Sequence, residues 1–226
     1  MVMKKIVDFY SVIELSPWRV EPNIEYEYNE QEDFERFALK VYRDAGIKSI
    51  DKIAFTPCYS INISNINDAD LSIIIEKELA DAEIKKIGLE IVGPFTGGIV
   101  FLCDNGEKIY HHSGYISDFK DWLVKTNRKP ENWEVVWYGY PSYYARVEKD
   151  IVQIAEVIPN AFPKSEDVIA EYDYLKFKTK LNEHVKNLMT FKDRIRTILR
   201  EANSKYADEI PALLVDQNYN NPNYED

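Results

Sequence analysis

Gly97-Gly98-Ile99-Val100-Phe101-Leu102-Cys103-Asp104-Asn105-Gly106-Glu107-Lys108-Ile109-Tyr110-His111 decides the fold class, because it reads as two strands joined by a tight turn. Residues 99–103 are a continuous apolar run of strand length, which predicts burial on both faces of a sheet. Asn105-Gly106 suits a type I′ turn, whose two central residues both need positive φ. Just upstream, Leu89-Glu90-Ile91-Val92 predicts a short strand stopped by Gly93-Pro94, since proline cannot donate to a central ladder.

Downstream of the hairpin the period changes from two to helical spacing. Ser117 is placed to cap a short helix, Asp118 and Asp121 fall in its first turns, and Phe119, Trp122 and Leu123 share a face. A polar, proline-containing loop over 127–132 leads to Trp133-Glu134-Val135-Val136-Trp137-Tyr138, whose β-branched and aromatic residues predict a strand. Gly139 and Pro141 break it. Residues 143–147 and 151–155, separated by Glu148-Lys149-Asp150, then predict a second hairpin.

Working outward to the N-terminus, residues 6–15 are compatible with a strand, and Pro17-Trp18-Arg19 with Pro22 mark an irregular link. Glu25-Tyr26-Glu27-Tyr28 alternates as a charged edge strand would. Asn29 with Glu32 suggests a capping box that opens a helix through Phe34, Phe37, Ala38 and Val41 and ends at Gly46. Residues 52–63 have strand character interrupted by Pro57. Asn67-Asp68-Ala69-Asp70 then starts a helix whose apolar face is Leu71, Ile74, Ile75 and Leu79. Helices and strands in separate blocks, with hairpins and no regular βαβ alternation, predict an α+β fold with a mainly antiparallel central sheet.

Towards the C-terminus, a long amphipathic helix is expected from Ser165 to about Ala202. Its stripe is Val168, Tyr172 and Leu175, then Leu181, Val185, Leu188, Ile195 and Leu199, and its phase slips near 177–180, which suggests a bend or break. The organisation expected is therefore a core domain over 1–163, a long helical segment over 164–205 packed on that core, and an acidic, disordered tail over 206–226.

With 226 residues and 45% hydrophobic content the chain can bury an ample core. No apolar run approaches the roughly 20 residues that cross a bilayer, and no signal peptide is recognisable at the start, so a cytoplasmic protein is expected. Cys58 and Cys103 are read as reduced thiols. A net charge of −11 argues against a nucleic-acid surface, which needs clustered Lys and Arg. The excess of acid lies before residue 164 and after residue 205, whereas 164–205 is net basic. Such a chain is soluble, and it also favours a basic protein partner through electrostatic steering.

A search for chemistry assigns no catalytic, cofactor or metal residue. His111 and His112 are adjacent on a strand, so they point to opposite faces and cannot easily chelate one metal. A Cys103–His111 pair lacks an orienting third group, and an apolar strand raises a thiol's pKa. Asp118 and Asp121 are accounted for as helix N-terminal acids. Gly93, Gly97 and Gly98 match neither a P-loop nor a dinucleotide fingerprint. The aromatic cluster is more suggestive. Trp133 and Trp137 are read mainly as core. Tyr138, Tyr140, Tyr143 and Tyr144 fit either core filling or an interface around the Gly139/Pro141 break, and we assign them as the candidate partner-binding residues.

Gly97-Gly98-Ile99-Val100-Phe101-Leu102, the following turn, Lys108-Ile109-Tyr110, and Ser117-Asp118-Phe119-Lys120-Asp121-Trp122-Leu123 together resemble the latter half of SUKH-superfamily domains. That superfamily's usual Leu-Pro opening is absent, and the segment after Trp122 is longer than it requires. Many of its members are immunity proteins of bacterial polymorphic or contact-dependent toxin systems. The resemblance implies a non-catalytic immunity protein that neutralises a basic toxin domain by direct occlusion. The alternatives are a small hydrolase or transferase with a scattered site, and an intracellular scaffold or regulatory module.

Overall fold

One long strand, the twelve-residue Lys4–Leu15 (β1), is shared by both wings of the sheet. The computed structural model describes residues 4–22, 24, 31–52, 59–80, 88–89, 92–117, 125, 128–137, 141–158 and 161–216. After β1 come the helices Pro17–Val20 (α1) and Gln31–Asp44 (α2), the strands Asp51–Lys52 (β2) and Tyr59–Asn62 (β3), and the helix Asp68–Ala80 (α3). Five strands follow: Thr96–Cys103 (β4), Lys108–Tyr115 (β5), Glu134–Trp137 (β6), Ser142–Glu148 (β7) and Ile151–Val157 (β8). Val168–Asp173 (β9), the 28-residue helix Tyr174–Glu201 (α4) and Ile210–Val215 (α5) complete the chain.

Val12 and Ile13 pair with both β3 and β4, so those two strands flank the C-terminal half of β1, and β2 and β5 extend the wing on either side. At its other end, Lys4 and Lys5 pair in parallel with Ala170 and Glu171 of β9, which leads on through β8 and β7 to β6. Every other pairing in the nine-stranded sheet is antiparallel, so the fold is α+β with a mixed, mainly antiparallel sheet.

The continuous apolar run predicted for a doubly covered strand is β4, where Ile99, Val100 and Phe101 are all buried. Gly97 is needed where β4 meets β1, since an added Cβ would lie 2.1 Å from the Val12 carbonyl oxygen and 2.6 Å from Ile116 Cγ2. The β4–β5 turn differs from the expected type I′. Only Gly106 has positive φ, at 81°, while the Cys103 carbonyl accepts from Gly106 N–H at 2.9 Å and Cys103 N–H donates to the Glu107 carbonyl at 2.8 Å. This is a three-residue loop with a glycine bulge. The Asn105 side chain accepts from Glu107 N–H at 3.0 Å, an Asx interaction that holds Asn105 out of the left-handed region. The two-residue turn with both φ positive occurs instead at Lys149-Asp150, φ 50° and 63°, joining β7 to β8 in the predicted second hairpin.

Three further expectations are corrected. Leu89 and Val92 do not lie in a strand: Val92 N–H donates to the Leu89 carbonyl at 3.1 Å, closing a turn. The helix expected from Ser165 is a 3₁₀ turn at Ser165–Asp167, then β9, and only from Tyr174 a helix. Over six residues, Val168 and Tyr172 fit spacing four and spacing two equally well. The buried set Val168, Ala170, Tyr172 has period two, and Asp173 then caps α4 by accepting from Lys176 N–H at 2.9 Å. No bend or break occurs at 177–180, where α4 is continuous. The phase slipped only because strand residues Val168 and Tyr172 and exposed Leu175 were counted with a helix whose buried stripe runs through Tyr174, Phe177 and Leu181.

The third correction concerns the tail. Within the segment 206–226, residues 206–216 are structured, and Ile210, Leu213, Leu214 and Val215 of α5 belong to the core. Phe95 N–H donates to the Leu214 carbonyl at 2.8 Å, and Lys192 of α4 pairs with Asp216 at 2.5 Å. The Asn- and acid-rich composition of the last residues masked this short apolar run. The expected helix over 117–123 (apart from Ser117), the strand at 25–28, the Asn29 cap and Pro57 lie outside the described residues.

The core lies between the sheet and the helices. The buried stripe of α4 is Tyr174, Phe177, Leu181, His184, Leu188, Phe191, Ile195 and Leu199, which packs on β1, β8, β9, α3 and α5. Phe9 of β1 centres an aromatic cluster with Phe101, Tyr172, Phe177 and His184, at centroid distances of 5.1–6.0 Å. The helix α4 thus packs along the sheet and against α3 and α5. On α3, Asn67 caps as predicted, its side chain accepting from Asp70 N–H at 2.8 Å. Buried Asp70 accepts from Lys48 N–H and Ser49 N–H at 2.8 and 2.6 Å. Burial pushes its carboxyl up, but hydrogen bonds from Ser49, Lys48 and Asn67 together bring it below the usual value.

Candidate interaction face

Strands β7, β8 and β9 alternate over residues 143–148, 151–154 and 168–173, and β8 departs from the pattern at its end, where Ala155 and Val157 are buried and Glu156 between them is exposed. Tyr143, Ala145 and Val147, with Val152, Ile154, Ala170 and Tyr172, are buried, while Tyr144, Arg146, Gln153, Ile169 and Glu171 take the opposite, outer face. The helix α4 covers the buried side. Across the outer face, Arg146, Gln153, Glu171 and Lys5 lie opposite one another on four successive strands. Arg146 Nε donates to Gln153 Oε1 at 2.8 Å, and Gln153 Nε2 donates to Glu171 Oε1 at 2.7 Å. The Arg146 guanidinium also lies 4.5 Å from the Trp133 ring centroid and pairs with Glu148 at 3.1 Å. These contacts fix the row of side chains in place, so a ligand meets a pre-ordered surface.

The end of this face beyond β8 is apolar. Ala161 N–H donates to the Ile158 carbonyl at 3.1 Å, a turn that brings Phe162 to 6.3 Å from Tyr144, whose hydroxyl donates to the Ala161 carbonyl at 3.4 Å. Ile158 is 65% and Phe162 67% exposed. Single exposed apolar residues are ordinary, but here exposed Phe162 is in ring contact with Tyr144, and exposed Ile158 flanks the same turn beside an ordered polar row.

Of the four tyrosines assigned to partner binding, Tyr144 lies on this face. Tyr143, its neighbour in a strand, necessarily points the other way and is only 4% exposed. Its hydroxyl donates to Glu156 Oε2 at 2.9 Å and reaches the Tyr110 carbonyl at 3.4 Å, so it ties β7 to β5. Burial, and then the Glu156 carboxylate, push that phenol far above its ordinary value. Tyr143 is thus a core residue with a polar tip and is not available to a partner. Tyr138 and Tyr140 lie outside the described residues. Sequence reasoning missed Ile158 and Phe162. Their signal is two large apolar residues, each directly before a proline, Pro159 and Pro163, in a stretch with neither strand nor helix period.

Two other groups carry side chains capable of chemistry. His111 and His112 occupy β5 positions opposite Ile99 and Gly98, and Cys103 is buried in β4, its thiol pushed up mainly by burial. His184, not singled out from the sequence, lies with Nε2 3.4 Å from Ser11 Oγ, a spacing reminiscent of a base and nucleophile. Both side chains are buried under the Phe9 cluster, where no substrate carbonyl could reach Oγ, and burial lowers the imidazole to about 4. The pair is core packing. Among the described residues no three of His, Cys, Asp or Glu are grouped to hold a metal ion, and no helix is long and apolar enough to cross a membrane. No protein family, curated protein or solved structure matches the chain.

Proposed function

We propose that this chain is a non-catalytic, cytoplasmic binding protein of the immunity type implied by its resemblance to SUKH domains, neutralising a toxin by covering its working surface. The observation that carries the reading is the outer face of β7, β8 and β9, with its ordered Arg146–Gln153–Glu171 row ending in half-buried Tyr144 and exposed Ile158 and Phe162. Aromatic anchors beside satisfied polar groups are what a protein interface uses for affinity and specificity. The net charge of −11 suits a basic partner, which long-range attraction would steer to the surface.

The test is capture of a partner from the source cell on the immobilised full chain, followed by expression of that partner with and without this chain. The expected result is a partner that arrests growth alone and is silenced by co-expression, with protection lost in the Tyr144→Ala/Phe162→Ser variant. A harmless partner, or protection untouched by that variant, contradicts the proposal.

A further inference from the structure

At the opposite end of the sheet wing, where β1 and β9 part after two paired residues, the strands leave a cleft of about 540 Å³. Its lining includes Lys4, Lys5, Val7, Tyr172, Asp173 and Lys176. A second recess of about 310 Å³ continues it past Leu175 to Thr179 and Lys180, sharing Val7, Tyr172 and Lys176. Together these have the size of a small-ligand or peptide-side-chain site.

Its floor is apolar for a structural reason. The β1–β4 register shifts between Ile6 and Asp8, leaving Val7 as the extra residue of a bulge, and bulges re-aim side chains. Val7 is 47% exposed although β-branched, its carbonyl accepts the Tyr172 hydroxyl at 3.2 Å, and Leu175 on the first turn of α4 is 69% exposed.

The charges around this floor are unevenly satisfied. Glu171 accepts from Gln153, and Asp173 accepts from Lys176 N–H. Asp8 and Glu183 hold Lys180 at 3.1 and 3.2 Å, and Glu107 holds Lys4 at 2.5 Å. Each nearby acid is thus turned onto another donor. The ammonium groups of Lys5 and Lys176 have no anionic partner among the described residues, although Lys5 is in register with Glu171. On a chain of net charge −11, two unpaired cations bracketing an exposed apolar floor are complementary to one kind of ligand.

We infer that this cleft binds an acidic peptide segment of a protein partner, one apolar side chain seated on Val7, Tyr172 and Leu175 with flanking carboxylates on Lys5 and Lys176. The site is separate from the aromatic end of the outer face and does not depend on a toxin partner. It would let the chain hold an acidic protein while a basic one occupies the aromatic end.

The experiment is selection from a phage-displayed random peptide library on the immobilised full chain, then titration of the selected peptides against wild type, Lys5→Glu/Lys176→Glu and Leu175→Ser. These positions are exposed, so the variants should fold, which circular dichroism checks. The expected outcome is enrichment of sequences pairing Asp or Glu with Leu, Ile or Phe. Their binding should weaken at least about tenfold in the charge-reversed variant, the size expected from losing two exposed charge contacts, and similarly in Leu175→Ser. Selected peptides without acidic bias, or with equal affinity for all three proteins, would overturn the inference. So would an empty selection accompanied by capture of phosphatidylglycerol vesicles that depends on Lys5 and Lys176, which would make the ligand a membrane surface.

Discussion

The two wings that share β1 are built differently. In the wing of β3, β1 and β4, strand β4 is apolar without alternation, with Val100 buried on one face and Ile99 and Phe101 on the other. In the wing of β7, β8 and β9 buried and half-exposed residues alternate, and α4 covers one face while the other carries the polar row and Tyr144. The first wing buries side chains on both faces of the sheet, with Val12 and Val100 on one and Ile99 and Phe101 on the other. The second buries one face in the core and leaves the other partly exposed, the face proposed above for partner binding.

The predictions set these regions against each other. A chain ending at Lys205 removes Ile210, Leu213, Leu214 and Val215, each buried. At roughly 1.5–3 kcal/mol per buried aliphatic side chain, this loss rivals the whole stability of a domain. Cooperative unfolding in urea should disappear. A truncated chain as stable as the parent would return residues 206–216 to a tail.

In the doubly covered wing, Phe101→Ala should cost about 3–5 kcal/mol by cavity formation. On the outer face, Gln153→Ala should cost under about 1 kcal/mol, because its hydrogen bonds are half-exposed and water can replace them. Urea midpoints for the two variants measure the contrast directly, and equal costs would erase it.

A smaller effect comes from His184. Its ordinary value of 6.5 falls to about 4 in the folded chain, so between those pH values the unfolded chain binds a proton that the folded chain refuses. Its contribution is therefore fully present above about pH 6.5 and lost as pH falls towards 4. Lowering the pH from about 7 to 4.5 should cost the wild type about 2 kcal/mol more than His184→Leu. Parallel pH profiles would place the imidazole in contact with solvent. Smallest of all, Tyr144→Ala and Phe162→Ala should change stability by about 1 kcal/mol or less, since these side chains rest on the surface.

Much of this division was legible in the residues. The run 99–103 announced double burial, and the hairpin around Glu148-Lys149-Asp150 announced the alternating wing. Turn chemistry was less so: Asn105-Gly106 has the residues of a type I′ turn, yet the Asn105 side chain found a local partner that favoured a bulge. At Val168–Asp173 a strand fitted a helical spacing because it was too short to show its period. The face of each tyrosine depended on the strand register, which no local pattern supplies, so Tyr143 and Tyr144 could not be told apart until β7 was paired with β8. Ile158 and Phe162 lie in a linker, where exposure follows from tertiary placement alone.

The most direct test of the claim that the outer face binds a partner is the dissociation rate of the captured complex, measured for wild type, Phe162→Ala, Tyr144→Ala and Tyr143→Phe. Phe162→Ala and Tyr144→Ala should each speed dissociation at least about tenfold, some 1.4 kcal/mol, while Tyr143→Phe, altered only inside the core, leaves it unchanged. Unchanged rates in both outer-face variants would contradict the account.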